Sequence, residues 1–134
     1  MLVIRTDFSD QSAWEATRTA IDGPEELESE YMYSPEFTDD SAYQELSVEE
    51  ILARLPEAMQ GRFIAVVDQT TLASREKPIL LVDLNRRNGN YGRTFRVIPS
   101  ELPSIEVNLS LANMDFFEFA GSVDPDGVFR GFSR

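Results

Sequence analysis

The 134-residue sequence contains no cysteine and no histidine, and its only lysine is Lys77. Without cysteine and histidine, the chain cannot form disulfides, zinc–cysteine sites, Ser-His-Asp triads, or haem sites ligated by either residue. A lone lysine also argues against Ser-Lys and Schiff-base mechanisms. Any catalysis would therefore depend on carboxylates, arginine, tyrosine or hydroxyl groups, assisted by a hard cation such as Mg²⁺.

Long apolar runs are absent as well. No run approaches the ~18 residues that a membrane-spanning helix needs, and the N-terminal "MLVI" meets Arg5 and Asp7 before a signal-peptide core can form. Apolar residues make up 42% of the chain and charged residues 27%, which is typical of globular proteins. We therefore expect one domain spanning residues 1–134, located in the cytoplasm and without contact to a membrane.

The net charge of −12 is concentrated in one region of the sequence. Between Asp22 and Glu57 there are twelve acids and one base, Arg54, which leaves a net charge of −11. Residues 75–96 carry the opposite sign, with a net charge of +4. This uneven distribution should repel nucleic acid and anionic membranes, and it should attract basic proteins.

The stretch "IRTDFSDQSAW" leads from a short apolar strand, residues 2–6, into a helix that ends at Gly23. Asp7 and either Ser9 or Asp10 could cap the start of this helix. The spacing of Ser12 and Glu15 also fits a capping box.

The clearest local pattern is "LSVEEILARL". Ser47 and Glu50 have the spacing of a capping box, and Leu46 and Ile51 occupy the positions of a hydrophobic staple. The apolar residues that follow recur at helical spacing, so we predict a helix with one face on the core.

Two near-continuous apolar runs, residues 62–68 and 78–84, are typical of strands that are buried on both faces. Their nine-residue link is shorter than the dozen or more residues of a parallel crossover, which predicts an antiparallel pair. A further strand is expected around Tyr31, Tyr33 and Phe37, interrupted at Pro35. Another follows the Asn88-Gly89 turn as "RTFRVI".

The C-terminal third is less clearly patterned. Residues 100–113 fit either a helix or an alternating strand. Asp115 and Glu118 predict the start of a short helix with Phe116 and Phe119 on one face, and "VFRGF" fits a final edge strand or a packed tail. The predicted fold class is α/β: one mixed sheet of about five or six strands with helices packed on its faces, its opening part resembling half of a doubly wound fold.

The segments "IRTDFSDQSAW", "VVD", "FRVIPSE", "NLSLANMDFFEFA" and "GVFRGF" together resemble an uncharacterised bacterial domain-of-unknown-function family. This resemblance covers nearly the whole chain and implies no particular activity. Members of that family often carry an acid at the position of Phe117. The "NLSLANMDF" segment also resembles stretches of immunity-type proteins from bacterial toxin systems.

Acids at the ends of two strands form the first candidate site. Asp7 and Asp68 could meet at the carboxyl edge of a parallel sheet. With Asp10 they could bind Mg²⁺ for phosphoryl transfer or nucleotide processing. The simpler interpretation is that Asp7 and Asp10 satisfy the free amides of the following helix. Asp83 would lie at the opposite edge if its strand is antiparallel. We therefore favour no cofactor and no catalytic residue, with magnesium chemistry as the alternative.

The second candidate is the acidic region, where aromatic residues are interleaved with acids. Rings supply contact area and acids steer a basic partner. We therefore predict a non-catalytic module, of inhibitor or immunity type, that acts as a monomer or small homo-oligomer on a basic protein and makes no direct contact with nucleic acid. The predicted partner-binding residues are Glu28, Glu30, Tyr31, Tyr33, Glu36, Phe37, Asp39, Asp40, Tyr43 and Glu45.

Overall fold

The structure is a computed structural model that describes residues 1–23, 33, 35–56, 63–86, 91–111 and 114–132. Within these residues the chain forms one six-stranded mixed sheet with five α-helices around it, which confirms the predicted fold class. The strands are β1 (Leu2–Arg5), β2 (Glu36–Thr38), β3 (Phe63–Val67), β4 (Ile79–Asp83), β5 (Thr94–Val97) and β6 (Val128–Phe129). The helices are α1 (Gln11–Asp22), α2 (Val48–Arg54), α3 (Gln69–Ala73), α4 (Leu102–Ser110) and α5 (Phe116–Ala120). Turns of 3₁₀ helix lie at Ser41–Tyr43 and Pro99–Glu101.

The strands are ordered β2-β1-β3-β4-β5-β6 across the sheet. β1 pairs in parallel with both β2 and β3, as in half of a doubly wound fold. β4 is antiparallel to both of its neighbours, which confirms the prediction from the short link. The carboxyl ends of β1, β2 and β3 therefore share one edge of the sheet.

The core has two parts, one on each face of the sheet. Alternate residues of β3 separate between them: Phe63, Ala65 and Val67 face α1, α4 and α5, whereas Ile64 and Val66 face α2. All five β3 residues are buried. This double coverage explains why the central strands read as continuous apolar runs in the sequence.

The helix starts agree with the capping patterns in two places and differ in a third. The Ser47–Glu50 capping box is present at α2, and the amide of Asp115 donates to Glu118 Oε1 at α5 over 3.1 Å. The predicted Ser12–Glu15 box is wrong. Asp10 is the N-cap of α1, so Ser12 already lies inside the helix.

Two further parts of the chain are now defined. Within the segment that fitted either helix or strand, Leu102–Ser110 forms α4, and β6 is the outermost strand beside β5. β2 begins only after Pro35, where the amide of Glu36 donates to Met1 O over 2.8 Å. The predicted strand is therefore confirmed at Phe37 and wrong at Tyr33, and Tyr31 lies outside the described residues. Among the helices of the described ranges, none has the length and apolar character required to span a membrane.

Candidate functional site

The carboxyl edge of β1 and β2 brings together acids that are far apart in the sequence. In the parallel register Ile4 lies beside Thr38, so the residues that follow both strands leave the sheet at the same edge. The loop after β2 also returns to β1, because the amide of Glu45 donates to Thr6 O over 2.8 Å. We call the six acidic residues at this place the acidic edge: Asp7, Asp10, Asp39, Asp40, Glu45 and Glu49.

Arg5, the last residue of β1, joins the loops of the acidic edge. Its guanidinium donates through Nη1 to Asp39 Oδ1 over 3.1 Å and to Gln11 Oε1 over 3.0 Å, and through Nε to the carbonyl of Asp7 over 3.0 Å. It also lies over the rings of Phe8 and Trp14. One buried cation thus holds the starts of α1 and of the loop after β2 next to each other.

The two acids that follow β1 are both used locally. Asp7 Oδ1 accepts a hydrogen bond from the amide of Ser9 over 2.8 Å. Asp10 Oδ1 accepts from the amide of Ala13 over 2.9 Å and so caps α1. The bond to Asp10 satisfies one of the free amides at the start of α1, and the negative charge of its carboxylate interacts favourably with the positive end of the helix dipole. This geometry agrees with the interpretation that these acids begin a helix.

Asp68 is engaged by a different set of partners. Its two oxygens accept from Arg96 Nη1 and Nη2 over 3.0 and 2.8 Å, and Oδ1 also accepts from the amide of Thr71 over 3.1 Å. Burial would raise the pKa of Asp68, but the hydrogen bonds and charge of Arg96, together with Thr71, outweigh burial and hold that pKa below its ordinary value.

Asp83 is separated from the other strand-end acids, as the antiparallel pairing predicted. It lies opposite Phe63, at the start of β3, whereas Asp68 follows the end of that strand. Across the described ranges, no group of three acids is arranged to hold a metal ion. The alternative magnesium site of Asp7, Asp10 and Asp68 is therefore not among the groupings that the described residues form.

The acids predicted to bind a partner lie in several places. Asp39, Asp40 and Glu45 are exposed on the acidic edge. Glu36 is also exposed, but it begins β2 beside Leu2 and so lies at the opposite end of that strand. Glu28 and Glu30, with Tyr31, are outside the described residues.

The aromatic residues of that prediction do not form a free contact surface. Tyr33 is 0% exposed, and its hydroxyl donates to the carbonyl of Ile21 in the core. Burial, with the charges of Glu106 and Asp22, raises the pKa of this hydroxyl. The assignment of Tyr33 to the partner-binding surface is therefore wrong, because the ring packs against the rest of the core.

Phe37 and Tyr43 are half-buried, and each has an arginine over its ring. The guanidinium carbon of Arg18 lies 4.7 Å from the centre of the Phe37 ring, and that of Arg54 lies 5.9 Å from the centre of the Tyr43 ring. Arg54 also donates to the carbonyl of Ala42 over 3.1 Å. Chain cations therefore already use these faces, and a partner would meet carboxylates rather than bare rings.

Several carboxylates of this region also stabilise local structure. Asp40 accepts from the amide of Ala42 over 2.9 Å, and Glu50 accepts from the amide of Ser47 over 3.1 Å. Glu45 and Glu49 differ, because their exposed carboxylates take part in no described hydrogen bond or ion pair. These two side chains are therefore the most available for a partner.

Sequence reasoning missed the part played by Arg5. An arginine within the apolar strand "LVIR" was the available signal, because a buried cation needs carboxylate or carbonyl partners. Following that signal would have linked Asp7 and Asp10 to the acidic region. From the sequence alone, the strand-end acids and the acidic region were predicted as two separate candidate sites.

The fold and this site together define a small mixed α/β domain with an acidic sheet edge. Residues 1–132 match the family model described as Domain of unknown function (DUF6924), and the chain therefore belongs to this family. No curated protein matches the sequence. The family resemblance inferred from the sequence motifs is thus confirmed.

Proposed function

We propose that this domain is a non-catalytic protein-binding module that engages a basic partner through the acidic edge. The observation that carries the proposal is the junction at Arg5, which holds the acid-bearing loops after β1 and β2 next to each other at one end of the sheet. Grouped charges create a local potential that speeds the approach of an oppositely charged protein.

The balance of charge around the acidic edge supports this proposal. Residues 39–56, which follow β2, contain five acids and one base, Arg54. The guanidinium of Arg54 is already bonded to the carbonyl of Ala42 and lies over Tyr43. Arg5 is paired with Asp39, and the other five acids of the acidic edge form no ion pair with a described residue. A basic partner would supply their counter-charge.

The half-buried rings of Phe37 and Tyr43 limit how the module can bind. Because arginines of the chain already cover these rings, binding would rest on charge and hydrogen bonds more than on aromatic anchors. Salt screens exposed charges over about 8 Å at physiological ionic strength. We therefore expect rapid association that weakens steeply as salt is added.

An inhibitor or immunity-type role follows from the same surface. A protein that binds nucleic acid presents lysine and arginine side chains to the phosphates. An acidic edge of the right shape competes for those side chains and blocks the site. The likeness of "NLSLANMDF" to immunity-type proteins favours this version of the proposal.

Paired variants test the proposal. Glu45→Gln with Glu49→Gln removes two charges from the acidic edge without removing a described hydrogen bond. The matched control, Glu101→Gln with Glu118→Gln, changes the net charge equally at the 3₁₀ turn before α4 and in α5. The amide side chain introduced at position 118 keeps an oxygen for the amide of Asp115. Each immobilised protein is presented with native lysate at low and high salt, and bound proteins are identified.

We expect one basic protein to bind the wild type and the control at low salt, and to be released at high salt. The acidic-edge variant should bind it roughly 3- to 30-fold more weakly, since each exposed charge contributes up to about 1 kcal/mol. Three results would contradict the proposal: no partner at either salt, a partner retained at high salt, or equal loss in both variants.

A further inference from the structure

A largely apolar groove runs along α1, on the side of that helix that faces α3 and the 3₁₀ turn Pro99–Glu101. Its volume is about 660 Å³, within the range of about 300–1,000 Å³ typical of small-molecule sites. Ala16 and Ala20 form one wall, and Ile98, Pro99 and Pro103 form another. The groove is separate from the six residues of the acidic edge, none of which lines it.

Two cations, Arg75 and Lys77, also line the groove. Neither side chain forms an ion pair within the part of the chain that the structure describes. Their neighbour Glu76 also lines the groove. Its carboxylate is bonded at two points to Arg130 over 2.7 and 2.8 Å, and Asp124 and Asp126 bond to the same arginine. The protein has a net charge of −12, so two cations without a described ion pair beside an apolar groove are unusual within it.

The turn that carries these cations is held in place from both sides. The Glu76–Arg130 pair fastens it to the residue after β6, and the amides of Glu76 and Lys77 donate back to Ser74 over 3.3 and 3.2 Å. Lys77 has a φ of 50°, a left-handed conformation that is unfavourable for lysine. The backbone positions of Arg75 and Lys77 are thus set before any ligand arrives, which reduces the entropy lost on binding.

We propose that this groove binds an organic anion with an apolar body. The alanine, isoleucine and proline surfaces contact the body, while Arg75 and Lys77 bind a carboxylate or phosphate head group. The charge of the two cations selects for an anion, and the lining selects against a small, fully polar one. The Ser100 hydroxyl, which also lines the groove, can donate a further hydrogen bond to the head group.

Octanoate and octyl phosphate are the probes, and 1-octanol is the neutral comparison. Binding is measured by NMR titration of the amide signals of Ala16, Ala20 and Ser100. The variant Arg75→Gln with Lys77→Asn removes both cations, and asparagine tolerates the left-handed conformation. The control, Arg86→Gln with Arg93→Gln, removes two cations from another part of the basic segment. Ala20→Trp fills the groove from an exposed helix position without a change of charge.

We expect at least one anion to shift these signals and to bind about tenfold or more tightly than 1-octanol, a ratio that corresponds to roughly 1.4 kcal/mol. The groove-cation variant should lose about that factor, the control should keep it, and Ala20→Trp should abolish binding. Binding of octanoate alone would indicate a carboxylate ligand, and binding of octyl phosphate alone would indicate a phosphate ligand.

The proposal is overturned if neither anion binds, if octanol binds equally well, or if the groove-cation variant binds like the wild type. Should the double variant not fold, Arg75→Gln alone carries the comparison, with half of the cationic charge removed. The acidic-edge variants should bind the anions normally, so failure here leaves the partner-binding proposal standing.

Discussion

Arg96 on β5 and Asp68 at the start of α3 form a two-point ion pair, with N–O distances of 3.0 and 2.8 Å. Arg96 Nη1 also donates to the carbonyl of Pro78 over 3.1 Å, just before β4. One guanidinium thus ties together the segments that flank β3, β4 and β5. A carboxylate that the sequence offered as a metal ligand is therefore a structural element of the fold.

Asp68→Asn should destabilise the protein by about 1–3 kcal/mol, because it leaves Arg96 without its charged partner in a partly buried place. Urea unfolding monitored by the fluorescence of Trp14 measures the loss. Glu49→Gln, at an exposed acid without a described bond, is the control and should stay within about 0.5 kcal/mol of the wild type. Equal stability of the two variants would show that the ion pair contributes nothing.

The ion pair of Asp68 and Arg96 should also make the free energy of unfolding depend on pH. The pKa of Asp68 in the folded protein lies below its ordinary value, so the unfolded state takes up the proton first. The contribution of the pair is complete above the unfolded pKa of about 4 and is lost as the pH falls through the folded pKa. The variant Asp68→Asn should not show this loss. Unfolding free energies of the variant and the wild type, measured from pH 6 downward, test the difference.

Arg5 and Asp39 should respond unequally to substitution. The Arg5 side chain is 3% exposed and that of Asp39 is 40% exposed. Arg5→Met leaves several carbonyl and carboxylate partners without a donor and should cost about 2–4 kcal/mol. Asp39→Asn keeps an acceptor oxygen for Arg5 and should cost about 1 kcal/mol. Chemical denaturation of both variants tests the order, and a larger loss for Asp39→Asn would contradict it.

Asp83 should show the opposite pH dependence to Asp68. Burial raises the pKa of Asp83, against the opposing effects of the Asn85 amide and Arg93. Its Oδ2 has no hydrogen-bond partner among the described residues. The charged form is therefore disfavoured in the fold, and this penalty is relieved as the pH falls through the raised pKa.

Asp83→Asn keeps the Oδ1 acceptor for the Asn85 amide, at 2.9 Å in the wild type, and removes the buried charge. We expect it to be as stable as the wild type at pH 7, or more stable by about 1 kcal/mol. It should also lack the gain on acidification. If the unfolding free energy of Asp83→Asn at pH 7 is more than about 2 kcal/mol below that of the wild type, the carboxylate is needed for stability.

Among the residues that the structure describes, two that are not glycine, Glu45 and Lys77, have positive φ angles of 57° and 50°. Glycine adopts this conformation at little steric cost, although it loses more entropy on folding. Glu45→Gly and Lys77→Gly should therefore be neutral or stabilising by up to about 1 kcal/mol. Ala16→Gly, at an exposed position within α1, should cost about 1 kcal/mol. Thermal and urea unfolding of the three variants measures these changes in stability. A similar loss at all three positions would contradict the expected difference between the positive-φ positions and the helical position.

The parts of the fold that were predictable depend on short-range rules. The capping box of Ser47 and Glu50 could be read locally, and the short link before Pro78 determined the antiparallel pairing. The segment of α4 was ambiguous, because its apolar residues satisfy both the helical and the alternating period. Its burial against the sheet resolves that ambiguity, and burial of this kind depends on residues distant in sequence.

Long-range contacts explain the rest of the differences. Tyr33 stands among acids in the sequence, but its ring enters the core and its hydroxyl bonds to the carbonyl of Ile21. Asp39 looks like one surface acid among many until Arg5, 34 residues earlier, is found beside it. The acidic character of the region could be predicted from composition, whereas the grouping of Asp7 and Asp10 with Asp39 required the sheet register.

The lateral strands of the sheet are very short: β2 has three residues and β6 has two. A longer uncovered strand would offer a row of backbone amides and carbonyls to which a neighbouring molecule could add its own strand, a common route to aggregation. With so few such groups at either side, strand addition gains little here. Strand addition at β2 or β6 would therefore supply few backbone hydrogen bonds to an association, and side-chain contacts would have to supply the rest.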